Sequence, residues 1–213
     1  MSHNHAHTDP LRAHITARVA VLEQRLIERG AITGEQLDDV LEMFTARLGA
    51  HHGARYVARA WTDPIFKRAL LDDATAVVRQ YGYDLRGARN RELPFLHLEV
   101  VENTADVHNL VVCTLCSCYP IALLGPSPSW YKSIEYRARA VREPRAVLAE
   151  FGTHLEPAVQ VRVWDSTADC RYLVLPRKPA GCDHLTEEQL AAIVTQACLT
   201  GTTQPIAPSP PPS

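Results

Sequence analysis

The segment VVCTLCSCYP, residues 111–120, places Cys113, Cys116 and Cys118 within six positions, and these are half of the six cysteines in the chain. Residues 108–115 (HNLVVCTL) are rich in Val and Leu, which predicts a β-strand that runs into the cysteines. Clustered cysteines in a reducing compartment indicate metal or redox chemistry more than disulfides. The segment therefore combines a predicted strand with a candidate metal site.

Three more segments on either side of this one also predict strands. They are HLEVVENT (97–104), VQVRVWDST (159–167) and RYLVLPRKP (171–179). Residues 136–152 (YRARAVREPRAVLAEFG) predict a basic helix that Pro144 interrupts or restarts. Near the end, Thr186 and Gln189 predict a capping box that begins a last helix, which stops at Gly201. The second half of the chain is therefore expected to mix strands and helices.

The N-terminal part of the chain predicts helices only. A first helix is predicted to begin at Pro10 and to end at Gly30. A capping box at Thr33 predicts a second helix, and a third is predicted from Pro64 toward Tyr81. Because no strand is predicted in this region, its narrow apolar stripes are expected to need a partner surface.

Composition excludes several classes of function. The net charge of −2 and the pI near 6.5 favour neither a nucleic-acid partner nor a membrane surface. No apolar run approaches the length of a membrane span, and the N-terminus has no basic and apolar signal region. We therefore predict a cytoplasmic protein.

Several kinds of site use clustered cysteines. Structural zinc prefers four tetrahedral ligands, usually in two separated pairs. An iron–sulfur cluster also needs four cysteines, commonly at wider spacing. The other cysteines, Cys170, Cys182 and Cys198, are scattered and would supply at most a distant fourth ligand. Three small buried cysteines without a metal are the remaining alternative.

The triplet Cys116-Ser117-Cys118 can bind a metal through its backbone as well as through its sulfurs. A metal on the Cys116 sulfur and the Ser117 nitrogen closes a six-membered ring, and the Ser117 and Cys118 nitrogens close a five-membered ring. The triplet thereby offers a flat set of donors, Cys113 can supply an axial donor, and one octahedral position stays open. Deprotonated amides require a strongly Lewis-acidic ion, which favours trivalent cobalt or iron over zinc. The predicted chemistry is addition of water to a polarised multiple bond.

Longer stretches around the cysteines carry a family pattern. VENTADVHN precedes VVCTLCSC, and SWYKSIEYRARAVREPRAVL follows it. GARYVARAWTDPIFKRALLDD and RVWDSTADCRYLVLPRKPAG extend the pattern toward the two ends of the chain. Over residues 10–205, this pattern resembles the α subunits of the cobalt-type nitrile hydratases, which add water to a nitrile to give an amide.

The resemblance implies a role for each residue of the cysteine loop. The metal ligands would be the sulfurs of Cys113, Cys116 and Cys118 with the deprotonated amides of Ser117 and Cys118. Cys116 matches the cysteine found as sulfinic acid, and Cys118 the one found as sulfenic acid. Thr114 lies where threonine usually accompanies cobalt and serine usually accompanies iron. The implied cofactor is one Co(III) per subunit, with Fe(III) as the alternative, and the implied catalytic residues are Cys116, Ser117 and Cys118.

The resemblance also implies an α+β fold, with an N-terminal helical arm followed by a layered α-β-β-α domain. The chain is accordingly divided into a disordered His-containing tail (1–8), an arm that contacts a β-type subunit (9–88), a metal-binding domain (89–203) and a Pro-rich disordered tail (204–213). The β-type subunit, as one chain or split into two, is expected in a higher hetero-oligomer. Its arginines would bond the oxidised sulfurs, and an activator or metallochaperone is expected to load cobalt.

The sequence after the cysteines departs from many cobalt nitrile hydratases. Many of these resemble CSCTxWPxLGLPP, whereas this chain reads CSCYPIALLGPSPSWY. Because Ile121 and Ala122 replace a tryptophan and a proline, we predict that Tyr119, Ile121 and Ala122 line a roomier pocket. Bulky heteroaromatic or nucleoside nitriles are the expected substrates.

Two alternative functions remain. The CYP start after the cysteines also resembles the γ subunit of thiocyanate hydrolase, which converts thiocyanate to carbonyl sulfide and ammonia. The alternative from another class is a non-catalytic homologue that handles cobalt.

Other conspicuous side chains are predicted to serve structure. His97 and His108 lie in predicted strands and are expected to be structural histidines rather than metal ligands. Trp130 and Tyr131 are expected in the core or at an interface. A solvated or intersubunit face is expected for four arginines of the basic helix, namely Arg137, Arg139, Arg142 and Arg145.

Overall fold

The structure, a computed structural model, describes residues 10–46, 49–81, 97–116 and 118–208. They separate into two units, and the first holds α1 (Pro10–Glu28) and α2 (Gly34–Ala46). Gly30 follows α1 with a φ of 65°, which only glycine adopts easily. Thr33 and Gln36 exchange two capping hydrogen bonds of 3.0 and 3.1 Å. The first two predicted helices and the capping box are therefore confirmed.

The second unit contains two runs of two strands, each preceded and followed by helices. In chain order, its described elements are α3 (Ala50–Thr62), α4 (Pro64–Asp72), α5 (Ala74–Gln80), β1 (His97–Glu102), β2 (Val107–Val112), α6 (Ile121–Leu124), α7 (Ser129–Lys132), α8 (Ile134–Arg142), α9 (Pro144–Glu150), β3 (Gln160–Asp165), β4 (Cys170–Leu175), α10 (Glu187–Ala192) and α11 (Gln196–Thr200). All four predicted strands are present, and Pro144 restarts the basic helix as α9.

The four strands form two parallel pairs. Strand β1 pairs with β4, with His97 opposite Cys170, and β2 pairs with β3, with Val112 opposite Asp165. Consecutive strands β3 and β4 therefore lie in different sheets, joined by residues 166–169. This pairing brings the carboxyl ends of β2 and β3 together, directly before the cysteine loop.

Helices cover both sheets and confirm the mixed α+β fold. α4 and α5 pack against β1, α8 packs against β2, and α9 packs against β3. Leu70 of α4 and Val78 of α5 are buried in the same core cluster as Leu110 of β2. The sequence predicted no sheet for the helices before residue 82, but α4 and α5 bury their apolar faces on β1.

Two predicted helices are each divided in the structure, and α3 was not predicted. Asp73 separates α4 from α5, since its carboxylate accepts a 2.9 Å hydrogen bond from the Ala76 nitrogen. Thr195 separates α10 from α11 in the same way, by accepting from the Cys198 nitrogen at 3.3 Å. Short polar side chains that bind the backbone ahead of them begin a new helix.

Parts of the predicted domain division lie outside the described residues. These parts are residues 1–8, the boundary at 88–89 and residues 209–213. Residues 204–208 are described and form no helix or strand. Where the chain is described, no helix has both the length and the apolar character that a membrane span needs.

Candidate metal centre

The three clustered cysteines converge directly after strand β2. The Cys113 and Cys116 sulfurs lie 3.4 Å apart, and the Cys116 and Cys118 sulfurs lie 2.9 Å apart. All three sulfurs lie within 4.8 Å of one another, and in the described part of the chain no other group of three side chains is placed to hold a metal. Ser117 lies outside the described residues, so its predicted amide ligand stays a prediction.

The three sulfurs differ in their access to solvent. Cys113 is fully buried, Cys118 is partly buried and Cys116 is exposed. Leu115, between the first two cysteines, is 87% exposed. Reactants from solvent can therefore reach Cys116 and Cys118 but not Cys113.

Without a cation, the electrostatics of the loop keep the Cys118 thiol protonated. Burial, a hydrogen bond that the Cys118 thiol donates to the Cys116 sulfur, and the neighbouring sulfurs raise the pKa of Cys118 to about 12, and the positive charge of Arg171 acts in the opposite direction. Three thiolates this close together repel one another unless a cation lies among them. Sulfur donors at these distances, all free of disulfides, fit a soft metal ion.

Thr114 is held from two sides by residues that the sequence analysis did not assign to the site. Its backbone nitrogen donates to Asp165 Oδ1 at 2.9 Å, and its hydroxyl donates to Asp165 Oδ2 at 2.5 Å. The Arg137 guanidinium donates to the Thr114 carbonyl oxygen from Nη2 at 2.6 Å and from Nε at 3.2 Å. The Thr114 hydroxyl is thus engaged by Asp165, and the partly buried Arg137 binds the loop within its own chain, which the prediction of a solvated or intersubunit face did not include.

The sequence carried one signal that pointed to Asp165. It is a polar residue near the end of the strand predicted over residues 159–167, and in the structure it ends β3 as Val112 ends β2. The carboxyl ends of paired parallel strands lie side by side, so a polar residue at one end can reach a loop at the other. The signal becomes useful only when the pairing of β2 with β3 is known.

Buried tyrosines hydrogen-bond to the backbone of the cysteine loop and of the strand before it. The Tyr131 hydroxyl donates to the Cys118 carbonyl oxygen at 3.0 Å, and Tyr136 donates to the Val111 carbonyl oxygen at 2.7 Å. Tyr119 packs edge-on against Tyr131, with 4.8 Å between ring centroids. Burial raises the pKa of Tyr131 well above its usual value. Tyr131 is therefore protonated at neutral pH and available as a donor, and it belongs to the core.

The residues predicted to line a pocket lie in different environments. Tyr119 and Ala122 are buried, whereas Ile121 is 41% exposed at the start of α6. Of these three, only Ile121 presents a large part of its side chain to solvent.

Neither candidate histidine belongs to the sulfur group. His108 is buried, and its Nε2 lies 2.7 Å from the Gly201 carbonyl oxygen. Because that oxygen can only accept, Nε2 carries the proton, and Nδ1 accepts from Asn103 at 3.4 Å. Burial lowers the pKa of His108, so the ring is neutral. His97 is on the surface, with Nε2 2.6 Å from a carboxylate oxygen of Glu99.

Comparison with protein families identifies one match over nearly the whole chain. The family model described as nitrile hydratase, alpha chain, matches residues 13–203. The low-molecular weight cobalt-containing nitrile hydratase subunit alpha of Rhodococcus rhodochrous is 49% identical over 92% of this chain and 91% of the relative. The cobalt-containing subunit alpha of Pseudonocardia thermophila is 44% identical over 91% of this chain and 92% of the relative. Thiocyanate hydrolase subunit gamma of Thiobacillus thioparus is 42% identical over 84% of this chain and 75% of the relative.

Solved structures of a nitrile hydratase and a thiocyanate hydrolase share the fold. A double mutant of the Fe-type nitrile hydratase from Comamonas testosteroni Ni1 superimposes with a TM-score of 0.82 and 38% identity, covering 97% of this chain and 98% of the other. A recombinant thiocyanate hydrolase with partially modified cobalt centres gives a TM-score of 0.76 at 39% identity, covering 90% of each chain. The family match over residues 13–203 includes the cysteine loop, residues 113–118.

Proposed function

The chain belongs to the nitrile hydratase α-chain family, and we propose that it is the metal-bearing subunit of a cobalt-dependent nitrile hydratase, which adds water to a nitrile to give an amide. The observation that carries this proposal is the convergence of three cysteine sulfurs, none of them in a disulfide, within 4.8 Å of one another. The relatives at 49% and 44% identity are named as cobalt-containing, which favours Co(III) over the alternative Fe(III).

The proposed ligands are all in the loop that follows β2. The sulfurs of Cys113, Cys116 and Cys118 and the amide nitrogens of Ser117 and Cys118 would hold the ion, one per subunit. When bound, trivalent cobalt supplies the Lewis acidity that polarises the triple bond of a nitrile toward water. Thr114 is the proposed determinant of metal choice, and its hydroxyl bond to Asp165 supports an indirect role in shaping the loop.

Cys116 and Cys118 are proposed to be oxidised, to sulfinic and sulfenic acid respectively. Both reach solvent, whereas Cys113 is fully buried, so the difference in access supports the oxidation of these two and not of the third. Oxidation also adds hydrogen-bond acceptors to an exposed surface of the loop. Arginines of a partner subunit are the proposed donors to these acceptors.

The proposed reaction uses the Cys118 sulfenate oxygen as a nucleophile or as a base. As a base it would accept a proton from the attacking water. As a nucleophile it would attack the nitrile carbon, and water would then attack the sulfur, break the original sulfur–oxygen bond, restore the sulfenate and supply the two protons of the amide nitrogen. The hydrogen bond from Tyr131 to the Cys118 carbonyl fixes the backbone that carries this oxygen. The small Ser117 side chain is proposed to leave room for the substrate on the open side of the loop.

The substrate is proposed to be a bulky nitrile, such as a heteroaromatic or nucleoside nitrile. The support is Ile121, a partly exposed residue close behind the cysteines, in place of a larger tryptophan. A smaller wall leaves more volume at the mouth of the site, and discrimination between nitriles then depends on the shape of that wall.

A β-type subunit, as one chain or two, is the proposed partner in a hetero-oligomer. Exposed apolar side chains support an uncovered interface, among them Leu115 in the cysteine loop and Ile15, Val19 and Leu22 on α1. Loading of cobalt is assigned to an activator or metallochaperone. The cytoplasm is the proposed compartment, because its reducing conditions suit six cysteines that form no disulfide.

Thiocyanate hydrolysis is the second candidate function. It is favoured by the CYP sequence after Cys116-Ser117 and by the fold shared with thiocyanate hydrolase at 39% identity. The lower identity and coverage of the curated thiocyanate hydrolase chain make nitrile hydration the preferred function.

The deciding experiment is metal analysis and product analysis of this chain co-expressed with its β-type partner. We expect about one cobalt per chain, amide from acetonitrile and from a cyanopyridine, and no ammonia from thiocyanate. Ammonia and carbonyl sulfide from thiocyanate alone would establish the second candidate. Cobalt binding with no product from any of these compounds would identify the non-catalytic homologue.

A further inference from the structure

The described residues of the cysteine loop, 113–116 and 118, form no helix or strand, yet the loop must keep three sulfurs in one place. We propose that Arg137 is a positioning residue for the metal centre. Arg137 binds Thr114 from one side and Asp165 binds it from the other, and together they form a clamp that fixes the positions of the Cys113 and Cys116 sulfurs relative to each other. This inference rests on the proposed function, since it takes the cysteine loop to be a metal centre.

Arg137 binds the loop through a two-pronged contact. Two nitrogens of one guanidinium point at a single oxygen, with Nη2 at 2.6 Å and Nε at 3.2 Å from the Thr114 carbonyl. A planar guanidinium that donates twice fixes both the distance and the direction of that carbonyl. The carbonyl belongs to the peptide between Thr114 and Leu115, midway between Cys113 and Cys116.

Helix α8, which carries Arg137, is fixed to strand β2. The next residue before it, Tyr136, is buried and donates to the Val111 carbonyl oxygen at 2.7 Å, which ties α8 to β2. Ser133 caps the start of the same helix by accepting from the Tyr136 nitrogen at 3.1 Å. Both the arginine and the loop it holds are therefore anchored to the same strand.

Asp165 completes the clamp from the neighbouring strand. It pairs with Val112 in the β2–β3 register and accepts two hydrogen bonds from Thr114. The negatively charged Asp165 accepts from the nitrogen and the hydroxyl of Thr114, and the positively charged Arg137 donates to the carbonyl oxygen of Thr114. Charge-assisted hydrogen bonds of this kind are stronger than neutral ones, and here they act on consecutive peptides.

The other arginines of α8 and α9 have different contacts, which sets Arg137 apart. Arg139 pairs with three glutamates, at 2.5 to 3.6 Å. Arg142 is exposed at the end of α8, and its Nε donates to the Ala138 carbonyl oxygen of its own helix at 3.3 Å. Arg145 donates to backbone carbonyls in residues 156–159. Arg142 is thus a matched control with the same charge on the same helix.

Removal of the guanidinium should loosen the loop without unfolding the protein. Arg137→Ala leaves the Thr114 carbonyl free to turn toward water, so the sulfurs sample geometries that bind the metal less well. Loss of an outer contact to a metal ligand shell typically costs about tenfold or more in metal affinity or activity. Lysine can donate to the same carbonyl from one point, so Arg137→Lys should recover part of the loss.

The test uses the co-expressed complex with wild-type, Arg137→Ala, Arg137→Lys or Arg142→Ala chains. For each, cobalt per chain, the sulfur-to-cobalt absorption band, the rate of cobalt loss to a chelator, kcat, KM and the unfolding temperature are measured. For Arg137→Ala we expect a shifted band, cobalt loss faster by about tenfold and a lower kcat at similar KM. Arg137→Lys should lie between it and wild type, and Arg142→Ala should match wild type.

Two results would overturn the proposal. The first is an Arg137→Ala complex that matches Arg142→Ala in absorption band and in rate of cobalt loss. The second is a complex that fails to assemble with either Arg137 variant, which would assign Arg137 to folding. If the wild-type complex holds cobalt but hydrates no nitrile, the proposed function fails, while the absorption band and the rate of cobalt loss still decide the role of Arg137.

Discussion

Replacement of Asp165 by asparagine should weaken metal retention while the fold persists. The two oxygens of Asp165 accept hydrogen bonds from the Thr114 nitrogen and hydroxyl, at 2.9 and 2.5 Å. In Asp165→Asn the amide oxygen can still accept from the backbone nitrogen. The hydroxyl must turn to accept from the new NH₂ group, so both contacts survive without the help of a charge.

The size of the effect follows from the loss of that charge. A hydrogen bond to a charged group contributes about 1.5–3 kcal/mol, and a neutral one about 0.5–1.5 kcal/mol. Asp165 is exposed, so water screens its charge and the lower end of each range applies. The free energy that favours the loop conformation bound by Asp165 over the unbound one should fall by about 1–2 kcal/mol. The equilibrium constant between these two conformations then changes by roughly 5- to 30-fold. Asp165→Ala removes both contacts and should cost more.

The assay is the rate at which a chelator removes cobalt from the co-expressed complex. We expect Asp165→Asn to lose cobalt about 5- to 30-fold faster than wild type, and Asp165→Ala to lose it faster still. Asp169→Asn is the control, because it changes the charge identically in the exposed turn after β3. Equal rates for Asp165→Asn and Asp169→Asn, within about twofold, would refute this account of the clamp. In a double-mutant cycle, Arg137→Ala and Asp165→Asn should be non-additive, because both act on Thr114.

Three other predictions concern the site, the mouth and the core. Cys116→Ser should abolish activity and cobalt binding, whereas Cys170→Ala should leave cobalt content unchanged; half-maximal activity in Cys116→Ser would contradict the ligand assignment. Ile121→Trp should shift the ratio of kcat/KM for a cyanopyridine over that for acetonitrile toward acetonitrile by about tenfold, and an unchanged ratio would argue against the roomy mouth. Burial lowers the pKa of His108, so the folded state keeps a neutral ring that the unfolded state protonates below a pH of about 6.5. The free energy of unfolding should therefore fall as the pH drops below that value, by up to about 1.4 kcal/mol per pH unit. In denaturant unfolding, His108→Gln should lose this part of the pH dependence.

The sequence by itself determined the features that depend on residues close together in the chain. The sulfur group needs only the spacing of Cys113, Cys116 and Cys118, and the structure brings these sulfurs within 4.8 Å of one another. The capping boxes at Thr33 and Thr186 are contacts between residues three positions apart, and both form as predicted. Such features were readable because a few backbone bonds leave little freedom between the partners.

Only the tertiary structure decided which distant elements meet at the site. The strands were predicted, but the pairing of β2 with β3 was not, since parallel strands joined by long crossovers carry no turn signal between them. That pairing brings Asp165 to Thr114 across 51 positions of sequence, and the packing of α8 on β2 brings Arg137 there across 23. Charge and helical spacing alone placed Arg137 with three other arginines on a solvated or intersubunit face. Its role depends on which carbonyl lies within reach of its guanidinium, and the positions of the packed elements determine that contact.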